Sequence, residues 1–157
     1  YAQSIQTSEK IFKLGFDQVL WLDAIHKKYI EELSGMNIMF LYKDKTLRTP
    51  SLSGTILPGI TRDTIITLSK SLGYNVIEDQ LDINQILHDI NSNKIIEAFA
   101  VGTGAVVAPI GKFLYKENEY IINNQKVGEN AQLIFNQLIN LQHGIVEEDN
   151  GWLTNIK

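Results

Sequence analysis

The chain has 157 residues, enough for one ordinary domain with a real core, and its 44% apolar and 20% charged residues match a soluble globular protein. The net charge of −4 is dispersed and forms no basic stripe with interleaved aromatics, which argues against a nucleic-acid partner, and no apolar run is long enough to span a bilayer. With no cysteine, a disulfide framework, a thiolate metal site and a catalytic thiol are excluded, and His26, His88 and His143 lack the short spacing of a zinc motif, so no metal is expected.

In chain order, residues 2–14 read as a helix with a ragged apolar face of Ile5, Ile11, Phe12 and Leu14, stopped by Gly15. Residues 18–23, 29–33, 37–42 and 46–50 are strand-like, and Ser51 to Gly59 is loop. Thr61 opens the clearest helix, with Ile65, Ile66, Leu68 and Leu72 on its apolar side and Gly73 at a left-handed C-terminal cap. A strand over 75–81 precedes a short helix capped by Asp82, with Ile83, Ile86, Leu87 and Ile90 inward. An apolar strand over 95–101 runs into Gly102-Thr103-Gly104, two or three short strands fill 105–123, and the last helix covers about 129–142 with Leu133, Ile134, Leu138 and Leu141 as its apolar residues. No repeat or linker interrupts the chain, which reads as a single α/β or α+β domain over 1–157 with a sheet-rich centre. The opening residues lack the charged, apolar and small-residue series of an intact signal peptide, and Tyr1 in place of Met marks either processing or a fragment. A reducing, cytoplasmic setting fits the absence of cysteine.

Three segments could carry chemistry. In Leu57-Pro58-Gly59-Ile60-Thr61-Arg62 a stiff loop reaches a glycine that allows close backbone approach and then a helix start, whose amides, dipole and Thr61 hydroxyl suit a phosphate; taken alone, Thr61 more commonly just caps its helix. Gly102-Thr103-Gly104-Ala105 after a buried strand can form an anion nest, or simply a tight turn. In the strand around Tyr29, Ile30 and Leu33, one of Glu31 and Glu32 is expected to face inward, where a carboxylate needs a cation or donor; the plainer alternative is that both are solvated on an edge.

The order of these segments resembles the branched-chain amino acid aminotransferases, pyridoxal-phosphate (PLP) enzymes of class IV and fold type IV. Gly15 to Asp23 is similar to their "GYDQVLWLDA", Glu32 to Asn37 to "E-x-G-T-M-N", and Ser53 to Arg62 to "GSILPGITR". Glu97 to Thr103 resembles "EAFGTGT", Val106 to Gly111 continues the likeness, and Gly151-Trp152 matches the C-terminal tryptophan region. The resemblance spans essentially the whole chain and implies the large lobe of such an enzyme, a sheet-rich pseudo-barrel with flanking helices.

It also implies roles. Glu32 would contact the pyridine nitrogen of PLP and Leu57 would pack on the ring face. Gly59, the amides of Ile60 and Thr61, and the hydroxyls of Thr61 and Thr103 would hold the phosphate. The amides of Thr103 and Gly104 would take the substrate carboxylate, and Tyr1 would bond the phenolic oxygen. The Schiff-base lysine is expected about five residues before Tyr1 and the N-terminal lobe is also outside, so no catalytic residue is assigned within the chain and these residues alone are expected to be inactive. The implied reaction moves the amino group of leucine, isoleucine or valine to 2-oxoglutarate, giving 2-oxo acids and glutamate, in a homodimer or higher homo-oligomer. D-amino acid aminotransferase, aminodeoxychorismate lyase and a non-catalytic phosphate-ligand module are the alternatives. Ser34 and Gly35 depart from the family's Gly-Thr, so a hydroxyl near the cofactor is either moved one residue or lost. Ala105 and Ala108 stand where some members carry a redox cysteine pair, which excludes that thiol switch here.

Overall fold

A computed structural model describes residues 2–146 and 151–154, with side chains described from residue 5 onward. The centre is a mixed five-stranded sheet of order β5-β4-β3-β6-β7, where β3 is Asn37–Tyr42, β4 Thr46–Pro50, β5 Asn75–Asp79, β6 Ile95–Gly102 and β7 Val106–Pro109. Strand β3 pairs antiparallel with β6 (Asn37 opposite Val101, Leu41 opposite Glu97) and with β4, and β6 pairs antiparallel with β7. Only β4 and β5 run parallel, joined by helix α2, Ile60–Ser71, as a parallel pair requires a crossover. Two two-stranded sheets flank the centre: β1 (Leu20–Leu22) with β2 (Ile30–Leu33), and β8 (Lys112–Tyr115) with β9 (Asn118–Ile121).

Strand alternation divides the core. Ile38, Phe40, Ala98 and Ala100 point to one face, where they meet Ile83, Ile86, Leu87 and Ile90 of helix α3 (Ile83–Asn91) and Phe113 of β8. Met39, Leu41, Phe99 and Val101 point to the other, against Ile65 and Ile66 of α2 and Ile134 and Leu138 of helix α4 (Glu129–Gln142). Both faces being covered explains why 38–42 and, apart from Glu97, 95–101 read as apolar runs instead of alternating ones. Phe99 is completely buried between α2 and α4. Phe99→Ala should therefore destabilise the fold by about 3–5 kcal/mol, measurable by urea unfolding; a loss under about 1 kcal/mol would contradict this packing.

Sequence and structure agree closely at β3, β4, α3 and α4, and Asp82 caps α3 by accepting from the Asn84 amide at 2.9 Å. Gly73 has the left-handed φ of +84° expected beyond the end of α2. Four expectations need correction. Helix α2 begins at Ile60 with Gly59 as its N-cap, so Thr61 lies inside the first turn and does not cap it. Leu133 is exposed because α4 turns Ala131, Ile134, Leu138 and Leu141 inward, a narrower stripe than the sequence suggested. In helix α1, Ala2–Lys13, the apolar residues Ile5 and Phe12 are mostly exposed, as is Leu14 just beyond it. The strand expected over 75–81 ends at Asp79, where the chain turns toward the α3 cap. Tyr1 lies outside the described residues.

Candidate functional site

Antiparallel pairing brings one set of strand ends together. The start of β3 lies beside the end of β6, at Asn37 opposite Val101, and the end of β4 lies at the same edge because Phe40 faces Arg48 and Leu41 faces Leu47. Three connections therefore share this edge: the turn from β2 into β3, the loop from β4 to α2, and the turn from β6 to β7. The last two are the segments with anion-binding character, and Glu32 precedes the first.

Strand β2 carries Glu31 and Glu32 between the buried Ile30 and Leu33. Both glutamates are half-buried, so neither faces fully inward and neither is simply solvated: a loop lies over them and both carboxylates hold it. Glu31 Oε1 accepts from the Thr55 hydroxyl at 2.5 Å, itself 2.9 Å from the Ser53 hydroxyl, and Glu32 Oε2 accepts from the Leu57 amide at 3.1 Å. The turn preceding β2 is organised by Asp23, whose carboxylate accepts from the amides of His26, Lys28 and Tyr29. Against a desolvation that would raise it, these amides hold the Asp23 pKa well below the ordinary carboxylate range.

The same loop is held from β3. Asn37 Nδ2 donates to the Leu57 carbonyl at 2.9 Å, and a Cβ placed on Gly59 would come within 2.4 Å of Asn37 Oδ1. Gly59 has an ordinary φ of −66°, so glycine is required there for space and not for conformation. Beyond it, the first intrahelical bond of α2 runs from the Asp63 amide to the Gly59 carbonyl, which leaves the amides of Ile60, Thr61 and Arg62 ahead of the helical ladder. No side chain caps this end. Arg62 is buried and donates to the Pro50 carbonyl at 2.8 Å and to Glu78 at 2.7 Å, tying the first turn to β4 and β5. Leu57 and Ile60 leave 66% and 86% of their surface exposed.

On the neighbouring side, Thr103, Gly104 and Ala105 form a three-residue hairpin turn between β6 and β7, all exposed. Val106 closes it with φ +61°, a conformation a β-branched residue adopts only under constraint. Gly102 sits against Met36, whose Cγ would be 3.2 Å from an added Cβ, so the β6–β7 turn lies on the β2–β3 turn. Thus Met36 and Asn37, adjacent in sequence, touch the two anion-type segments. Glu32, Leu57, Gly59, Ile60, Thr61, Thr103 and Gly104 are gathered at this edge. Ser34 Oγ accepts from the Trp21 indole at 3.2 Å, so its hydroxyl is engaged with β1. The sequence reading assigned no role to Asn37 or to the Arg62 anchor; the one signal for Asn37 was an amide opening an otherwise apolar strand.

A mixed sheet gathers a glutamate, a helix start and a glycine turn at one edge, and the family model described as amino-transferase class IV matches residues 1–113: the chain belongs to the class IV aminotransferases. Among its relatives, a protein named probable branched-chain-amino-acid aminotransferase from Staphylococcus aureus (strain N315) is 43% identical over 152 residues, covering 97% of this chain and 42% of the relative. Branched-chain-amino-acid aminotransferase 2 of Bacillus subtilis (strain 168) is 38% identical, covering 99% of this chain and 43% of that protein. The chain thus spans less than half the length of the curated relatives it matches. The branched-chain aminotransferase structure from Escherichia coli superimposes with a TM-score of 0.78 at 28% identity, over 96% of this chain and 47% of that one. A second solved branched-chain amino acid aminotransferase, complexed with N-(5′-phosphopyridoxyl)-L-glutamate, gives 0.79 at 28% identity, over 98% and 47%.

Proposed function

We propose that the protein containing these residues transfers the amino group of leucine, isoleucine or valine to 2-oxoglutarate, with PLP bound at the edge described above. The observation that carries this reading is the meeting of an uncapped helix start, a glycine-rich turn and a half-exposed carboxylate at one end of the sheet. These residues fit the cofactor. The α2 amides ahead of the ladder and the Thr61 hydroxyl suit a dianionic phosphate, which the positive end of the helix dipole favours. Glu32 supplies negative charge for a pyridine nitrogen, and the exposed Leu57 beside it offers an apolar surface to a ring. The relative bound to a phosphopyridoxyl adduct lends further support.

PLP, when bound, supplies an electron sink that lets a Cα–H bond of an amino acid break. Within this chain, Glu32 would keep the ring nitrogen protonated, Ile60, Thr61 and Thr103 would fix the phosphate with Gly59 giving room for it, and the Thr103 and Gly104 amides would orient the substrate carboxylate. Tyr1 and the proton-moving lysine belong to the same proposal but to no described residue. Assembly as a homo-oligomer in the cytoplasm is part of this reading.

The test uses the purified full-length protein. It should show the absorbance of bound PLP and convert L-leucine, L-isoleucine and L-valine with 2-oxoglutarate to glutamate, in preference to D-alanine and aminodeoxychorismate. Preference for D-alanine or aminodeoxychorismate would move the activity within the class, and phosphate-ester binding with no turnover would favour a binding module.

A further inference from the structure

We infer that Asn37 is a positioning residue that sets the phosphate-binding geometry of the α2 start without touching the phosphate itself; this rests on the proposed binding of a phosphate there. Asn37 opens β3 and is only 5% exposed, so its carboxamide needs partners inside the protein. Its Nδ2 donates to the Leu57 carbonyl, the same oxygen that accepts from the Gly59 amide at 2.8 Å. A bond from residue 57 to residue 59 closes a three-residue turn around Pro58, and Asn37 reinforces it from below. Its Oδ1 meanwhile lies so close to Gly59 that no side chain fits between them.

The carboxamide is therefore wedged between the carbonyl of residue 57 and the α-carbon of residue 59, immediately ahead of the Ile60 and Thr61 amides. Asn37 is itself held in the sheet, opposite Val101 of β6, in a strand that β4 pairs further along at Phe40 and Leu41. Arg62 anchors the first turn from behind through Pro50 and Glu78. The two amides lie between these anchors, while Ile60 points into solvent and no side chain caps the helix. Amides that receive an anion are useful only when fixed in direction, and the residues that fix them are as important as the donors. On the sheet side, Asn37 holds the turn ahead of them through the Leu57 carbonyl and Gly59, beside the Glu32 carboxylate on the Leu57 amide.

The discriminating measurement compares PLP with pyridoxal, which lacks the phosphate. In the full-length protein, Asn37→Asp keeps the side-chain shape but turns an oxygen toward the Leu57 carbonyl in place of the donor. Its Kd for PLP should rise about tenfold or more while its Kd for pyridoxal changes less than about twofold. A distant core variant, Ile134→Val, should lower the melting temperature and leave the PLP-to-pyridoxal ratio of affinities unchanged. If Asn37→Asp does not fold, Asn37→Ser carries the same comparison. A folded variant that retains the wild-type ratio, or weakens both ligands equally, overturns the inference and leaves the cofactor assignment standing. A wild-type protein that binds pyridoxal as tightly as PLP instead removes the phosphate site and this inference with it.

Discussion

Glu32→Gln in the full-length protein is expected to lower kcat for branched-chain transamination roughly 10- to 150-fold with little change in PLP affinity. Glutamine retains an oxygen that can accept from the Leu57 amide, as Glu32 Oε2 does at 3.1 Å, so the 51–59 loop keeps its support. What is lost is the negative charge proposed to keep the pyridine nitrogen protonated. A hydrogen bond to a charged group contributes about 1.5–3 kcal/mol, and each 1.36 kcal/mol of barrier is tenfold in rate, which gives the range. Glu32→Ala removes charge and loop support together and should additionally weaken PLP binding. The pair of variants separates the two duties of one carboxylate. Full kcat in the glutamine variant would show that Glu32 serves the loop alone and that the ring nitrogen is governed elsewhere.

Much of this edge is legible in the sequence, for identifiable reasons. Strands β3 and β4 are bounded correctly because Lys43-Asp44-Lys45 and Pro50 punctuate β-rich runs, and α3 because Asp82 is a capping residue that does cap. Local pattern carries that information. It does not carry contacts between distant residues: the Asn37–Leu57 bond spans 20 positions and the Glu31–Thr55 bond 24. For the same reason the orientation of the two glutamates escapes a local reading. A strand paired on one edge and crossed by a loop does not follow the alternation of a sheet packed on a core, and here Ile30 and Leu33, three apart, are the buried pair. Sequence places the start of α2 one residue late because threonine is the stronger capping signal, whereas the structure puts glycine at the cap, pressed against Asn37. Leu133 and the apolar face of α1 look like core from periodicity alone, which reports that a stripe exists and not what covers it.

A stability effect as large as that of Phe99→Ala is expected at Glu97, a charged residue within the apolar run 95–101. Only 6% of it is exposed, in the middle of β6. Its carboxylate points at the start of α4: Oε1 accepts from the Asn130 amide at 3.1 Å and from Asn130 Nδ2 at 2.6 Å, and Oε2 accepts from the Ala131 amide at 2.7 Å. The helix has Gly128 as its N-cap and no side chain of its own to satisfy those amides, so the strand supplies the anion that a helix start favours. Gly128 makes this possible, since a Cβ there would lie 1.9 Å from Glu97 Cδ. The network extends to Tyr74, which donates to Asn130 Oδ1 at 2.7 Å; burial, with the Glu97 charge adding to it, pushes the Tyr74 pKa up. Glu97→Ala strands one buried donor, the Ala131 amide, and two part-buried ones on Asn130, at about 1–3 kcal/mol each before relaxation, so a net loss of about 3–5 kcal/mol is expected in urea unfolding. Glu97→Gln, which keeps one accepting oxygen, should lose less. Gly128→Ala should approach the alanine variant, because its methyl group cannot coexist with the carboxylate where it now lies. A Glu97→Ala loss below about 1 kcal/mol would mean that water or a neighbouring side chain replaces the carboxylate. In that case α4 would be held to the sheet chiefly by the packing of Ala131, Ile134 and Leu138.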